Sequence, residues 1–314
     1  MKTKVFIDGS EGTTGLRIHE RFSERDDIEI LSISAELRKD PKERKRLINA
    51  SDVTFLCLPD AAAEESVSLV ENENVVIIDA STAHRTNEGW AYGFPELSDE
   101  HRMAVKTGKR IAVPGCHATG FIALVYPMIK GGFMPPDYPV SAFSLTGYSG
   151  GGKKMIAAYE AEDKKEDLFA PREYAISQQH KHLKEMKKIT GLNRTPLFSP
   201  IVDDYYSGMV VTVPLYTDML KGADVSVIRG YLKDHYRGQR FITVADEDDG
   251  IASTGFISGN QLSGYDGLKI YVTGNEDRIL LISQFDNLGK GASGAAMQCM
   301  NIVLGCDEAK GLNL

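Results

Sequence analysis

The sequence offers a nucleophile where a cysteine joins a strand-like apolar run to a helix-like one. In RIAVPGCHATGFIALVYPMIK, residues 110–130, Cys116 follows Pro-Gly and opens the HATGFIALVYPMI segment. A thiol at a helix N-terminus meets unpaired amides and the positive end of the helix dipole, which favours the thiolate. Cys57 and Cys299 look like small core residues instead. A nucleophile needs a proton-handling partner, and QQHKHLKEM supplies His180, His182 and Glu185. His182 and Glu185 are three residues apart, so on a helix the carboxylate can orient the imidazole. The competing reading is a solvated, charge-rich helix, because Lys181, Lys184, Lys187 and Lys188 crowd the same segment.

Four further stretches could hold anions. GSEGTTG places Gly9, Gly12 and Gly15 at GxxGxxG spacing after the first strand-like run. This makes Gly9, Ser10, Gly12, Thr13, Thr14 and Gly15 candidate contacts for a dinucleotide pyrophosphate at a helix N-terminus, unless the glycines serve only chain geometry. The next strand-like run ends in SISAELRKD, with Ser32 and Ser34 where an NAD-preferring site usually carries an acid. Ser34 and Arg38 then address a 2′-phosphate and point to NADP, while Glu36 could accept from a ribose hydroxyl instead. TGYSGGGKKM presents Ser149, Gly150 and Lys153 to a phosphoryl group, or is simply a flexible loop. DASTAHR follows the run Val75–Ile78 at the carboxyl edge of the expected sheet, making Arg85 a candidate anion clamp.

The elements that must position these residues fall into two textures. Strand-like runs at Lys4–Ile7, Ile28–Ser34, Val53–Leu58 and Val75–Ile78 alternate with helix-favouring segments such as Pro41–Ile48 and Ala61–Val70. Such alternation predicts a Rossmann-type, doubly wound parallel sheet. After Gly132 come longer runs, Val140–Leu145, Met209–Tyr216 and Phe241–Ala245, and a hairpin-like pair, Leu268–Thr273 and Arg278–Ser283, around GNED. These predict a second, α+β domain with a mostly antiparallel sheet. The small-residue helical tail NLGKGASGAAMQCMNIVLG is expected to return to the first domain. The expected domains are therefore 1–116 with 290–314, for the dinucleotide, and 117–289, for catalysis and dimerisation.

Composition narrows the class. A net charge of −8 argues against a nucleic-acid groove or an anionic membrane surface, both of which need clustered Lys and Arg. The least charged stretch, Ile111–Ile129, is interrupted by Pro, Gly and His, and no basic, apolar leader opens the chain, so a cytoplasmic protein is expected. Four cysteines without CxxC pairs predict free thiols and no metal. Runs such as GMVVTVPLY and KIYVTGNEDRILLISQF are apolar at both alternating sets of positions, which predicts a homodimer or homotetramer. Val211, Val213, Ile270 and Val272 are the candidates for buried sheet positions.

GSEGTTG, DASTAHR, YGFPEL, VPGCHATG, TGYSGGGKK, HKH with the following Glu185, and DNLGKGASGAAMQ occur in the order of the N-acetyl-gamma-glutamyl-phosphate reductase family, whose shorter form the chain resembles from Ile7 to Met300. Aspartate-semialdehyde dehydrogenase shares that architecture. The resemblance implies NADPH-dependent reduction of an acyl phosphate to an aldehyde in arginine biosynthesis. It implies Cys116 as nucleophile, His182 as acid/base and Glu185 as its orienting partner. His180 and Arg85 are implied near the substrate or its phosphate, and Asn287 of DNLGKGASGAAMQ near the cofactor. DASTAHR departs from the commoner DLSADFR wording, which leaves His84 without a role. Another acyl phosphate, aspartyl or aminoadipyl, and a dinucleotide-binding redox sensor without turnover remain the alternatives.

Overall fold

A computed structural model describes residues 2–10, 12–23, 25–247 and 254–314, without the Thr13 side chain. The chain divides into two compact units, Met1–Gly115 with Ala292–Asn313, and Cys116–Gly291 with Leu314.

In the first unit the elements run β1 (Thr3–Asp8), α1 (Thr13–Ser23), β2 (Ile28–Leu31), α2 (Pro41–Ala50), β3 (Val53–Leu56), α3 (Asp60–Ser68), β4 (Val76–Asp79), β5 (Ala91–Tyr92), α4 (Asp99–Thr107) and β6 (Arg110–Ala112). The strands form one sheet in the order β2-β1-β3-β4-β6-β5, every neighbouring pair parallel. Because side chains alternate across a strand, Val5 and Ile7 of β1 join a core with Ile18 and Phe22 of α1, while Phe6 joins one with Leu47 and Ile48 of α2 on the opposite face. Both faces are thus covered, as a parallel sheet requires. The second strand stops at Leu31 rather than Ser34, and Ser34 instead begins the exposed turn that leads to α2.

The second unit opens with α5 (Cys116–Lys130) and continues β7 (Ser141–Gly147), α6 (Lys153–Glu160), β8 (Arg172–Glu173), α7 (Leu183–Thr190), β9 (Leu197–Asp203), β10 (Met209–Tyr216), α8 (Val225–His235), β11 (Ile242–Val244), β12 (Leu268–Gly274) and β13 (Arg278–Phe285). Its sheet order is β11-β12-β13-β10-β7-β9-β8. Pairing is antiparallel except for β11 with β12 and β7 with β9, so the sheet is mixed but mostly antiparallel. The GNED hairpin is β12 and β13, paired from Leu268 with Phe285 to Gly274 with Ile279.

Helix α5 packs on β10 and β13, and Gly120 permits the approach. A Cβ there would stand 2.5 Å from Val211 Cγ2 and 2.7 Å from both Phe285 Cε1 and Ser283 Oγ. Val211, Val213, Ile270 and Val272 are all buried within the unit itself. The alternate positions Val210, Thr212 and Pro214 stay half-buried, and Leu280 is exposed. A last helix, α9 (Gly294–Leu304), belongs to the first unit, where Ala295, Ala296, Met297, Cys299 and Met300 join the β1–α1 core.

Candidate active site

The first unit contributes a turn shaped for close backbone approach. Gly9 has φ +89°, and a Cβ on it would lie 2.4 Å from the Cys57 carbonyl oxygen. A Cβ on Gly15, inside the first turn of α1, would lie 2.5 Å from the Gly9 oxygen. Only glycine fits these two positions, whereas Gly12 has ordinary room, with its nearest atoms at 3.5 Å. The turn is braced from below by groups that spacing does not reveal. Asp8, the last residue of β1, accepts from Arg44 Nε and Nη2 at 3.1 Å and from Ser66 Oγ at 2.8 Å, all buried. The result is a tight strand-turn-helix whose amides at the start of α1 can meet an anion, so the residues present fit a dinucleotide pyrophosphate. Cys57 beside it is inert, because burial, then Asp79 and Asp8, push its thiol up to about 12.

Further along the same sheet edge, Asp79 ends β4 and accepts from the Ser81 amide at 2.8 Å and the Ser81 hydroxyl at 2.7 Å. Its Oδ2 lies 2.6 Å from His84 Nδ1, and the His84 ring stacks on Trp90 at 4.0 Å. His84 therefore pins the loop after β4. Arg85 is buried, and its Nε and Nη2 donate to the carbonyls of Val113 at 2.8 Å and Ala80 at 3.1 Å. Ser34 and Arg38 are exposed in the turn after β2, where the backbone amide of Glu36, and then the Ser34 hydroxyl, hydrogen-bond to the Glu36 carboxylate and hold it below the usual range.

The second unit gathers the nucleophile candidate and the histidines. Cys116 is the first residue of α5, and its Cβ lies 3.0 Å from where a Cβ on Gly291 would sit. Helix α7 packs on α5, with His182 at its N-cap and the buried Glu185 in its first turn. His182 thus precedes the helix expected to carry it. Its backbone N–H donates to His180 Nδ1 at 3.2 Å, so neutral His180 carries its proton on Nε2. The ring centroids of His117, His180 and His182 lie 4.6–5.6 Å apart. His117, which directly follows Cys116, is a member that spacing did not suggest. Burial, then His180, hold it down to about 3. Its Nδ1 lies 2.6 Å from Ser144 Oγ and its Nε2 2.6 Å from the Tyr174 hydroxyl.

Asn287 donates to Ser149 Oγ at 3.0 Å and accepts from the Gly208 amide at 2.9 Å. It thereby ties the TGYSGGGKK loop to the start of β10. Gly150 and Lys153 are exposed, Lys153 as the first residue of α6. Among the described residues no cluster of His, Cys, Asp and Glu is arranged to hold a metal ion, and no helix is long and apolar enough to cross a membrane.

The profile "Semialdehyde dehydrogenase, NAD binding domain" matches residues 4–104, and "Semialdehyde dehydrogenase, dimerisation domain" matches residues 116–287. Among solved structures, aspartate semialdehyde dehydrogenase II of Vibrio cholerae, complexed with ASA, superposes with a TM-score of 0.73 at 15% identity, over 97% of this chain and 99% of that one. The Candida albicans aspartate semialdehyde dehydrogenase with NADP gives 0.68 at 15% identity over 97% and 99%. At that identity these two speak for the fold alone. N-acetyl-gamma-glutamyl-phosphate reductase 2 of Nostoc sp. is 43% identical over 99% of both chains. The Brucella anthropi N-acetyl-gamma-glutamyl-phosphate reductase is 44% identical over 97% of this chain and 99% of its own. Likeness of that degree along the whole length, joined to a dinucleotide turn in one unit and a cysteine that opens a helix in the other, makes this chain a member of the N-acetyl-gamma-glutamyl-phosphate reductase family.

Proposed function

We propose that the chain reduces N-acetyl-γ-glutamyl phosphate to N-acetylglutamate semialdehyde and inorganic phosphate, with NADPH as reductant and Cys116 as nucleophile. The observation that carries the reading is the place of Cys116 at the first turn of α5, followed directly by a ring 5.6 Å from that of His182. The Cys116 thiolate attacks the acyl carbonyl carbon, the bond from carbon to the phosphate oxygen breaks, phosphate departs, and an acyl thioester remains on Sγ. A nicotinamide dinucleotide held at the Gly9–Gly15 turn would supply the hydride that takes a thioester to the aldehyde level. Amides at the start of α5 and the His182 imidazole stabilise and protonate the oxygen as charge develops, and Glu185 orients His182. His182 takes the hydroxyl proton back as the thiohemiacetal collapses, which breaks the C–S bond, releases the aldehyde and returns the thiolate. A redox sensor without turnover would have no need of this gathering of histidines beside the thiol.

The turn Gly9–Gly15, with Ser10, Thr13 and Thr14, holds the pyrophosphate in this reading, and Ser34 with Arg38 takes the 2′-phosphate once Ser34 exchanges its bond to Glu36. Ser149, Gly150, Lys153 and the Nε2–H of His180 receive the departing phosphate. Asn287 acts through Ser149, and Arg85, whose donors hold two strand-end carbonyls, braces the sheet edge instead of clamping an anion. The half-buried face of Val210, Thr212 and Pro214 is where a second copy of the chain binds. The test follows cofactor reduction from N-acetylglutamate semialdehyde and phosphate, with aspartate semialdehyde as the control. Preference for the N-acetylated substrate is expected, and equal or reversed rates would reassign the substrate.

A further inference from the structure

Behind the dinucleotide turn lies a buried ion pair that the reaction above leaves unused. Arg44 of α2 sends Nε and Nη2 to the Asp8 carboxylate at 3.1 Å, and Nη2 also reaches Ser66 Oγ at 2.5 Å and the Ala62 carbonyl at 3.3 Å, both on α3. Ser66 donates in turn to the same Asp8 oxygen at 2.8 Å, and Arg44, Asp8 and Ser66 are all buried. Withdrawing a guanidinium and a carboxylate from water is costly, and apolar residues of the same volume would pack the space at least as well. What apolar packing does not supply is direction. A planar fork on a carboxylate fixes the slide and rotation of one element against another.

The elements it fixes carry the two anion turns. Asp8 ends β1 and hands the chain to Gly9, whose own conformation is locked by its φ of +89°. On the other side, the turn with Ser34 and Arg38 runs unbroken into α2. The Leu37 amide donates to the Ser34 carbonyl at 3.1 Å and the Asp40 amide to the Leu37 carbonyl at 2.7 Å. Asp40 then caps the helix, accepting from the Lys42 and Glu43 amides at 2.8 and 3.2 Å, and its carbonyl accepts from the Arg44 amide at 3.0 Å. Arg44 therefore stands one turn inside the helix that begins at the second anion turn, while its side chain ends on the strand that delivers the first. We infer that Arg44, with Asp8 and Ser66, is a positioning residue that sets the spacing between the Gly9–Gly15 turn and the Ser34–Arg38 turn, so that one ligand bearing two phosphates engages both. The inference rests on the preceding reading for what each turn binds.

The experiment is calorimetric titration of the full chain with adenosine 2′,5′-bisphosphate, which bears a phosphate for each turn, and with the 5′- and 2′-monophosphates, which bear one each. No turnover is involved. Arg44→Gln alone would strand a buried carboxylate, so the main variant is Asp8→Asn with Arg44→Gln, which removes both charges. Ser66→Ala, which removes one hydroxyl, carries the same comparison should the double variant fail to fold. Because a misplacement of about 1 Å is costly, bisphosphate affinity is expected to fall about ten-fold or more in the double variant and about two- to five-fold in Ser66→Ala, while each monophosphate stays within about two-fold of wild type. Equal losses for the bisphosphate and the 5′-monophosphate would show that the pair only shapes the glycine turn, and would overturn the inference. So would an unchanged bisphosphate affinity. A wild-type chain that binds the bisphosphate no tighter than the 5′-monophosphate would defeat the assignment of Ser34 and Arg38 and this inference with it, whereas a wild-type advantage that both variants retain overturns the inference alone.

Discussion

Gly120→Ala tests whether the seat of α5 on its sheet sets the reactivity of Cys116. The added methyl carbon would stand 2.5 Å from Val211 Cγ2 and 2.7 Å from both Phe285 Cε1 and Ser283 Oγ, far inside contact distance. A serine hydroxyl can rotate away, but Phe285 is fully buried at the end of β13, so relief must come from moving the helix. Overpacking of this kind costs about 1–3 kcal/mol, and the better helix propensity of alanine returns up to about 1 kcal/mol. The net destabilisation is about 1–2 kcal/mol, which at about 2–4 °C per kcal/mol lowers the melting temperature by roughly 2–8 °C. One turn separates Gly120 from Cys116, so the displacement also moves the sulfur from Gly291 and the histidines. Since a misplacement of about 1 Å costs on the order of a hundred-fold in rate, kcat should fall by about ten-fold or more while dinucleotide affinity, set in the other unit, stays constant. Calorimetry, steady-state kinetics and dinucleotide titration measure all three. An unchanged melting temperature with wild-type kcat would refute the argument that this glycine sets the helix.

Cys116→Ser should fold and bind dinucleotide normally while kcat drops by several orders of magnitude, because an alcohol is a poor nucleophile near neutral pH; near-wild-type turnover would exclude the thioester. Gly15→Ala sets a methyl 2.5 Å from a backbone oxygen that cannot rotate away, so calorimetric titration should show at least a ten-fold loss of dinucleotide affinity, and Arg38→Ala should weaken NADP selectively over NAD. His117 gives a pH dependence of stability. The unfolded chain takes up its proton near the ordinary histidine value of about 6.5, the folded chain only near about 3. Between those values the unfolded state binds more protons, so stability falls as the pH falls, by at most about 1.4 kcal/mol per pH unit from this group. Urea unfolding at pH 7 and pH 5 should show a smaller loss for His117→Asn than for wild type, and equal losses would contradict a neutral buried ring. Light scattering at micromolar concentration should give a multiple of the 34.5 kDa chain mass, and a monomer mass would count against pairing through the β10 face.

What the sequence made legible follows from the range of the interactions that carry it. Local periodicity and turn chemistry suffice for the fold class, because Val5, Phe6 and Ile7 alternate between two cores within three residues and the GSEGTTG turn lies wholly between one strand and one helix. Boundaries blur where the polypeptide leaves the sheet while staying apolar in alternate positions, as at Ile33, which packs on the α2 side although the strand ended at Leu31. His182 was placed on a helix because its neighbours have helical spacing, but a cap residue shares that spacing while keeping its backbone N–H for His180. The residues that spacing missed are those whose partners are distant in sequence. Asp8 meets Arg44 across 36 residues, and His117 reaches Ser144 across 27 and Tyr174 across 57. In one dimension His117 is a polar residue at the head of an apolar helix and Tyr174 an aromatic in a charged loop. The pairing of β7 with β9 and of β9 with β8, which Tyr174 directly follows, brings them into one chain of hydrogen bonds. A titratable side chain directly after a candidate nucleophile, opening an otherwise apolar helix, is a signal the sequence did carry, since burial of such a group demands partners from elsewhere in the fold.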